Sequence, residues 1–125
     1  MSSIAPGLGM TSTAAAAASV AMRLIAPYIR STCLKDFVWA KKKEKWQPDN
    51  VFAGEGMVPW ERYFKLLKEL GIRAPASLHC EWELFTKEEE ALPEKERRAI
   101  AVRKMRRDAD FFKAQFEKYG VATEV

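Results

Sequence analysis

The chain has 125 residues, with 21 Lys and Arg against 17 Asp and Glu, for a formal charge of +4. That length suits one ordinary domain with a real core, and 48% hydrophobic with 30% charged residues excludes disordered and membrane-embedded classes. The basic excess is not gathered into a nucleic-acid footprint: Glu44 follows Lys41, Lys42 and Lys43, and Arg97, Arg98, Arg103, Lys104, Arg106 and Arg107 alternate with acids along one stretch.

Residues 1–10, with Pro6, Gly7 and Gly9, read as an irregular start, and residues 1–13 as a flexible segment ahead of the domain. This start has no basic n-region, so a secretory signal is not expected. Its acid-free Ser, Thr and Ala content resembles a transit peptide except for its sparse arginine. Thr11, Ser12 and Thr13 are candidate caps for a helix over 14–25, where Ala17, Val20, Ala21 and Leu24 share a face. Pro27 closes it. Arg23 and Arg30 interrupt the longest apolar run, so no membrane span is expected.

Residues 31–39 read as a strand with Cys33, Lys35 and Phe37 on one face and Leu34, Asp36 and Val38 on the other. Residues 40–50 read as a long charged loop. Residues 51–58 carry Gly54-Glu55-Gly56, either a turn with a solvated glutamate or a carboxylate displayed at a site rim. Over 60–70, Trp60, Phe64, Leu67 and Leu70, with Tyr63 alongside, form a helical stripe ending at Gly71.

Residues 76–82 read as a second strand, placing His79, Glu81 and Glu83 on one face and Leu78, Cys80 and Trp82 on the other. The two cysteines, Cys33 and Cys80, are expected as buried free thiols in a reducing compartment, with the chain cytoplasmic. Thr86 and Glu89 resemble a capping box before Pro93. A long helix over 94–119 follows, with Val102, Met105, Ala109, Phe112, Phe116 and Tyr119 in its apolar stripe.

The order helix, strand, helix, strand, helix contains one βαβ unit and predicts a parallel α/β sheet. In such units chemistry collects at the carboxyl ends of the strands, here Lys35, Asp36, His79 and Glu81. Two parallel strands leave open edges, so the chain reads as the end of a larger array.

Three segments carry a resemblance: Lys35-Asp36-Phe37-Val38-Trp39, the loop Val51-Phe52-Ala53-Gly54-Glu55-Gly56-Met57-Val58, and Ser77-Leu78-His79-Cys80-Glu81-Trp82. Together they resemble the closing motifs of xylose isomerase-like TIM-barrel proteins, the sugar phosphate isomerases/epimerases, over residues 20–119. Ala53 stands where that family usually has leucine. The resemblance implies α/β architecture as the carboxyl-terminal part of a (β/α)8 barrel, from its sixth helix to its eighth. A whole barrel takes roughly 250 residues, so strands one to six would be missing.

The same resemblance implies metal-assisted proton transfer beside a sugar carbonyl, with a divalent cation (manganese, magnesium, cobalt or zinc) and a sugar or sugar phosphate as ligand. Glu81 would be the catalytic acid/base and metal ligand, with Lys35, His79 and Glu55 binding substrate. His79 is also readable as a core residue, Lys35 as a snorkelling lysine, and Asp36 as a structural hydrogen-bonding group. Cys33 stands where many relatives carry a metal-binding histidine, and thiolate is a poor ligand for magnesium or manganese. The ligands of earlier strands would be missing and one glutamate cannot hold a catalytic metal, so this chain alone is expected to be inactive.

Two other readings stay open. One is a non-catalytic module that pairs its sheet with a second copy or with the missing barrel half. The other is an endonuclease IV-like phosphodiesterase, disfavoured by the single histidine, His79. No nucleic-acid or membrane partner is expected.

Overall fold

The computed structural model describes Ser3, Ile4 and residues 12–122. The fold is α/β. Strand β1 (Ser3–Ile4) precedes helix α1 (Ser12–Ile25) and a single 3-10 turn at Ala26–Tyr28. Then come β2 (Thr32–Leu34), β3 (Asp36–Lys42), β4 (Lys45–Val51), α2 (Trp60–Glu69), β5 (Ala76–Leu78), the one-turn α3 (Lys87–Glu90) and the long α4 (Glu94–Tyr119). Of the amino-terminal segment expected to be flexible, residues 1–2 and 5–11 lie outside the described residues.

The expected parallel pair is present. Strands β2 and β5 run parallel in the register Thr32 with Ala76, Cys33 with Ser77 and Leu34 with Leu78. The ladder extends at both ends, from Thr32 N–H to the Pro75 carbonyl at 3.0 Å and from His79 N–H to the Leu34 carbonyl at 2.9 Å. The strand expected over 76–82 stops at Leu78, because the chain then turns to bury Trp82.

The strand expected over 31–39 is two strands, broken at Lys35. Residues before the break pair with β5, while Asp36–Lys42 pairs antiparallel with β4 along its whole length. The stretch over 40–50, expected as a loop, is therefore most of a β-hairpin. Its two-residue tip, Lys43 and Glu44, takes positive φ at both positions, 47° and 64°. Hairpins of this kind usually announce themselves with Asn-Gly or Asp-Gly, and this one does not. Pro48 also argued for a loop; it is tolerated because β4 is the outer strand of the β1-β3-β4 sheet.

The core lies between the β2–β5 pair, α2 and α4. Phe64 is fully buried, and Leu34, Leu67, Ile72 and Phe112 are nearly so. Rings from the two helices meet edge-on, with Trp60 and Phe112 centroids 4.8 Å apart and Phe64 and Phe116 4.9 Å apart. Edge-to-face geometry sets each ring's positive rim against its neighbour's negative face.

The expected stripe of α4 holds in its carboxyl-terminal half, where Phe112, Phe116 and Tyr119 join the core, and fails in its first half. Val102 and Met105 are 55% and 42% exposed, whereas Asp108 and Phe112 are buried. The inward row includes Lys104 and Asp108, polar residues that a search for apolar periodicity passes over. Thr86 and Glu89 form the capping box, with Glu89 N–H donating to Thr86 Oγ1 and Thr86 N–H to Glu89 Oε2. The cysteines are free thiols, but Cys33 is exposed and Cys80 only half-buried, against the expectation of burial. Cys33 lies on the sheet face opposite Leu34 and the core.

Candidate functional site

Alternation along two parallel strands decides which side chains share a face. Leu34 and Leu78 turn toward the helices and join the core. Cys33, Ser77 and, just past the strand ends, Lys35, His79 and Glu81 form a polar row on the opposite face.

The contacts run continuously along this row. Lys35 Nζ donates to Glu81 Oε2 at 2.8 Å, and Glu81 Oε1 lies 3.4 Å from His79 Nδ1. His79 Nε2 is 3.3 Å from Ser77 Oγ, which is 3.3 Å from Cys33 Sγ. The side chains of Lys35 and Glu81 are 45% and 44% exposed, so water screens the pair and its net contribution is small. The Lys35 ammonium, and secondarily His79, holds the Glu81 carboxyl below its ordinary range. Burial raises the thiol pKa of nearby Cys80, which disfavours thiolate chemistry there.

Two buried carboxylates position the surrounding loops. Asp36, 2% exposed, accepts from the backbone N–H groups of Phe37, Gly54, Gly56 and Val58 and from the Trp60 indole. This is the structural role the sequence suggested for it. Asp108, 3% exposed, accepts from Ala53 N–H at 3.0 Å and from the Trp82 indole at 2.7 Å. Sequence reasoning missed Asp108; a carboxylate among the apolar residues of a packed helix was the available signal. The Gly54-Glu55-Gly56 loop is thus fixed from below. A Cβ at Gly56 would stand 2.0 Å from Asp36 Oδ1, so no side chain fits.

The structure therefore brings Lys35, His79 and Glu81 together and leaves Glu55 elsewhere. The Glu55 carboxylate pairs with Arg107 of α4, whose guanidinium also covers the Phe52 ring. The hairpin does reach the site, through Asn50 Nδ2 and the Glu81 carbonyl at 3.4 Å.

Both Glu81 oxygens face partners within the chain. Among the described residues no three His, Cys, Asp or Glu side chains converge where a metal ion could sit. These described residues do not fit a resident divalent ion. Among the described residues no helix is long and apolar enough to cross a membrane. No family model, curated protein or solved structure matches the chain.

Proposed function

We propose that the polar row on the β2–β5 pair is a sugar- or sugar-phosphate-binding face of the xylose isomerase-like kind. In this reading the two strands close a barrel-like parallel sheet whose other strands lie outside this pair. The observation that supports it most is the Lys35–Glu81 pair, set just beyond the carboxyl ends of two parallel strands and on their open face.

Isomerisation or epimerisation beside a carbonyl requires a carboxylate to move a proton and a cation to hold the oxyanion that forms. Glu81 and Lys35 are groups of those types, and His79 is placed to donate or accept with a substrate hydroxyl. Here they satisfy each other. An ammonium-stabilised Glu81 is a weak base, so the chain by itself binds ligand rather than turning it over.

The test is an amide NMR titration of the chain with a ketose phosphate. Shifts are expected at residues 33–37 and 77–82, with loss of binding in Lys35→Ala. No shifts, or shifts confined to other regions, reject the reading.

A second reading is favoured by a separate observation. Among the described residues, β2 and β5 have no other strand on their outer edges. In addition, Val20, Leu24, Ile25 and Tyr28 are 56%, 72%, 52% and 78% exposed along α1 and the turn after it. A non-catalytic module that pairs with a second copy would cover both. Light scattering decides it: a dimer or larger species supports self-association, and a cooperatively unfolding monomer rejects it.

A further inference from the structure

Ser77 belongs to the polar row, yet the sugar reading leaves it without a task. Its Oγ lies 3.3 Å from His79 Nε2, while the other ring nitrogen, Nδ1, lies 3.4 Å from Glu81 Oε1. Alternate positions along the chain bring the three side chains to one face. An ionised carboxylate can only accept, so the Nδ1 that faces Glu81 carries the proton, and Nε2 keeps a lone pair toward Ser77. Lys35 Nζ, 2.8 Å from Glu81 Oε2, holds that carboxylate ionised and in place. Low basicity handicaps Glu81 as a proton-moving base. It suits a group that only orients an imidazole.

The exposed Ser77 hydroxyl has two further neighbours, the Thr32 carbonyl at 3.4 Å and Cys33 Sγ at 3.3 Å. A hydroxyl proton rotates among such partners, and of the three the imidazole is the one that takes up a proton. The backbone adds a donor. His79 N–H bonds the Leu34 carbonyl and Thr32 N–H the Pro75 carbonyl, so in this parallel register the N–H groups of Ser77 and His79 face β2. The N–H of Leu78, between them, faces the outer edge of β5, where no strand pairs among the described residues. It stands next to Ser77 with no ladder partner.

We propose that Ser77 is a nucleophile toward small carboxylic esters, with His79 as its general base and Glu81 as the residue that positions His79. Ser77 Oγ bonds to the acyl carbon as its proton passes to His79 Nε2, and Leu78 N–H takes the oxygen that becomes negative. The bond from the acyl carbon to the alcohol oxygen then breaks, and His79 gives its proton to that oxygen. Water repeats the sequence on the acyl-serine. Its proton goes to His79 and its oxygen to the acyl carbon, and Ser77 recovers a proton as the carboxylic acid leaves. The two contacts lie at the long end of hydrogen-bond distances, and contacts of this kind tighten when substrate docks. One backbone donor on a water-exposed face favours esters of acidic alcohols, such as aryl acetates, whose oxygen leaves readily. Sugar binding is not required for any of these steps.

The test is hydrolysis of p-nitrophenyl acetate by the full chain, with acid-quenched protein digested and mapped by mass spectrometry for the acetyl group. Acetyl is expected on Ser77. In Ser77→Ala and in His79→Ala, kcat/KM is expected to fall about 100-fold or more. Glu81→Gln keeps the side-chain shape but accepts either ring tautomer, so kcat is expected to fall about tenfold or more with KM unchanged. Added imidazole is expected to restore turnover in His79→Ala, a rescue that a merely structural role for His79 would not give. Mapping the acetyl group in the wild type needs no variant, and circular dichroism verifies that each variant is folded. Acetyl on Cys33 or on lysines and not on Ser77 overturns the proposal. So does hydrolysis no faster than in buffer, or turnover unchanged in Ser77→Ala or in Glu81→Gln.

Discussion

At the residue scale, Asp36 does the most organising. One carboxylate gathers five N–H donors from β3, the glycine loop and α2. Removing it leaves those donors without their acceptor, and Asp36→Ala is expected to lower stability by about 3–5 kcal/mol in urea unfolding. Gly56→Ala is expected to do part of the same damage, about 1–3 kcal/mol, since its methyl group would displace that carboxylate. The role of Asp36 was legible because strand alternation turned it away from the open face. Its partners were not legible: most lie in a loop about twenty positions downstream, and only the fold brings them back. Glu81 offers a test in pH. Its carboxyl titrates below the ordinary 4.5 because Lys35 stabilises the ionised form. A depressed carboxyl stabilises the fold at neutral pH, and the contribution goes as pH falls through the depressed value. Carbon-13 NMR should show Glu81 titrating below the exposed glutamates in the wild type and returning toward them in Lys35→Met.

At the element scale, helices were read well and the hairpin was not. Helix α4 has the residues its pattern gave, Glu94–Tyr119, and α2 ends at the glycine foreseen for it, where Gly71 takes φ 63°. Helices of that length declare themselves through period and caps. The hairpin instead conceals its turn: Lys43 and Glu44 occupy a left-handed region that glycine enters freely and branched or long side chains enter at a cost. Glu44→Gly is expected to raise hairpin and protein stability by about 1 kcal/mol, checked by thermal unfolding. Its loss of the exposed Lys41–Glu44 pair offsets little of this.

At the scale of the whole molecule, stability is concentrated in one place. The aromatic rings of α2 and the carboxyl-terminal half of α4 close over β2 and β5, while the first half of α4 stays largely exposed. Phe112→Ala is therefore expected to lower stability by about 3–5 kcal/mol, and Val102→Ala to change it by less than about 0.5 kcal/mol, by chemical denaturation. The α/β class and the parallel pair were legible, as was the meeting of Lys35, His79 and Glu81, because period-two alternation and strand ends depend on local sequence. The inward face of α4 ahead of Phe112 was not, because its row is anchored by Lys104 bonded to the Leu84 carbonyl and Glu89, and by Asp108. The hairpin tip carries one more consequence. Anything inserted at Lys43–Glu44 lies beyond the last paired residues, Lys42 and Lys45, and leaves the rest of the register alone. Added in pairs, one residue on each strand, new positions lengthen the ribbon while Trp39 and Trp46 keep the same side. A single added residue becomes a three-residue loop and leaves the pairs above it in place.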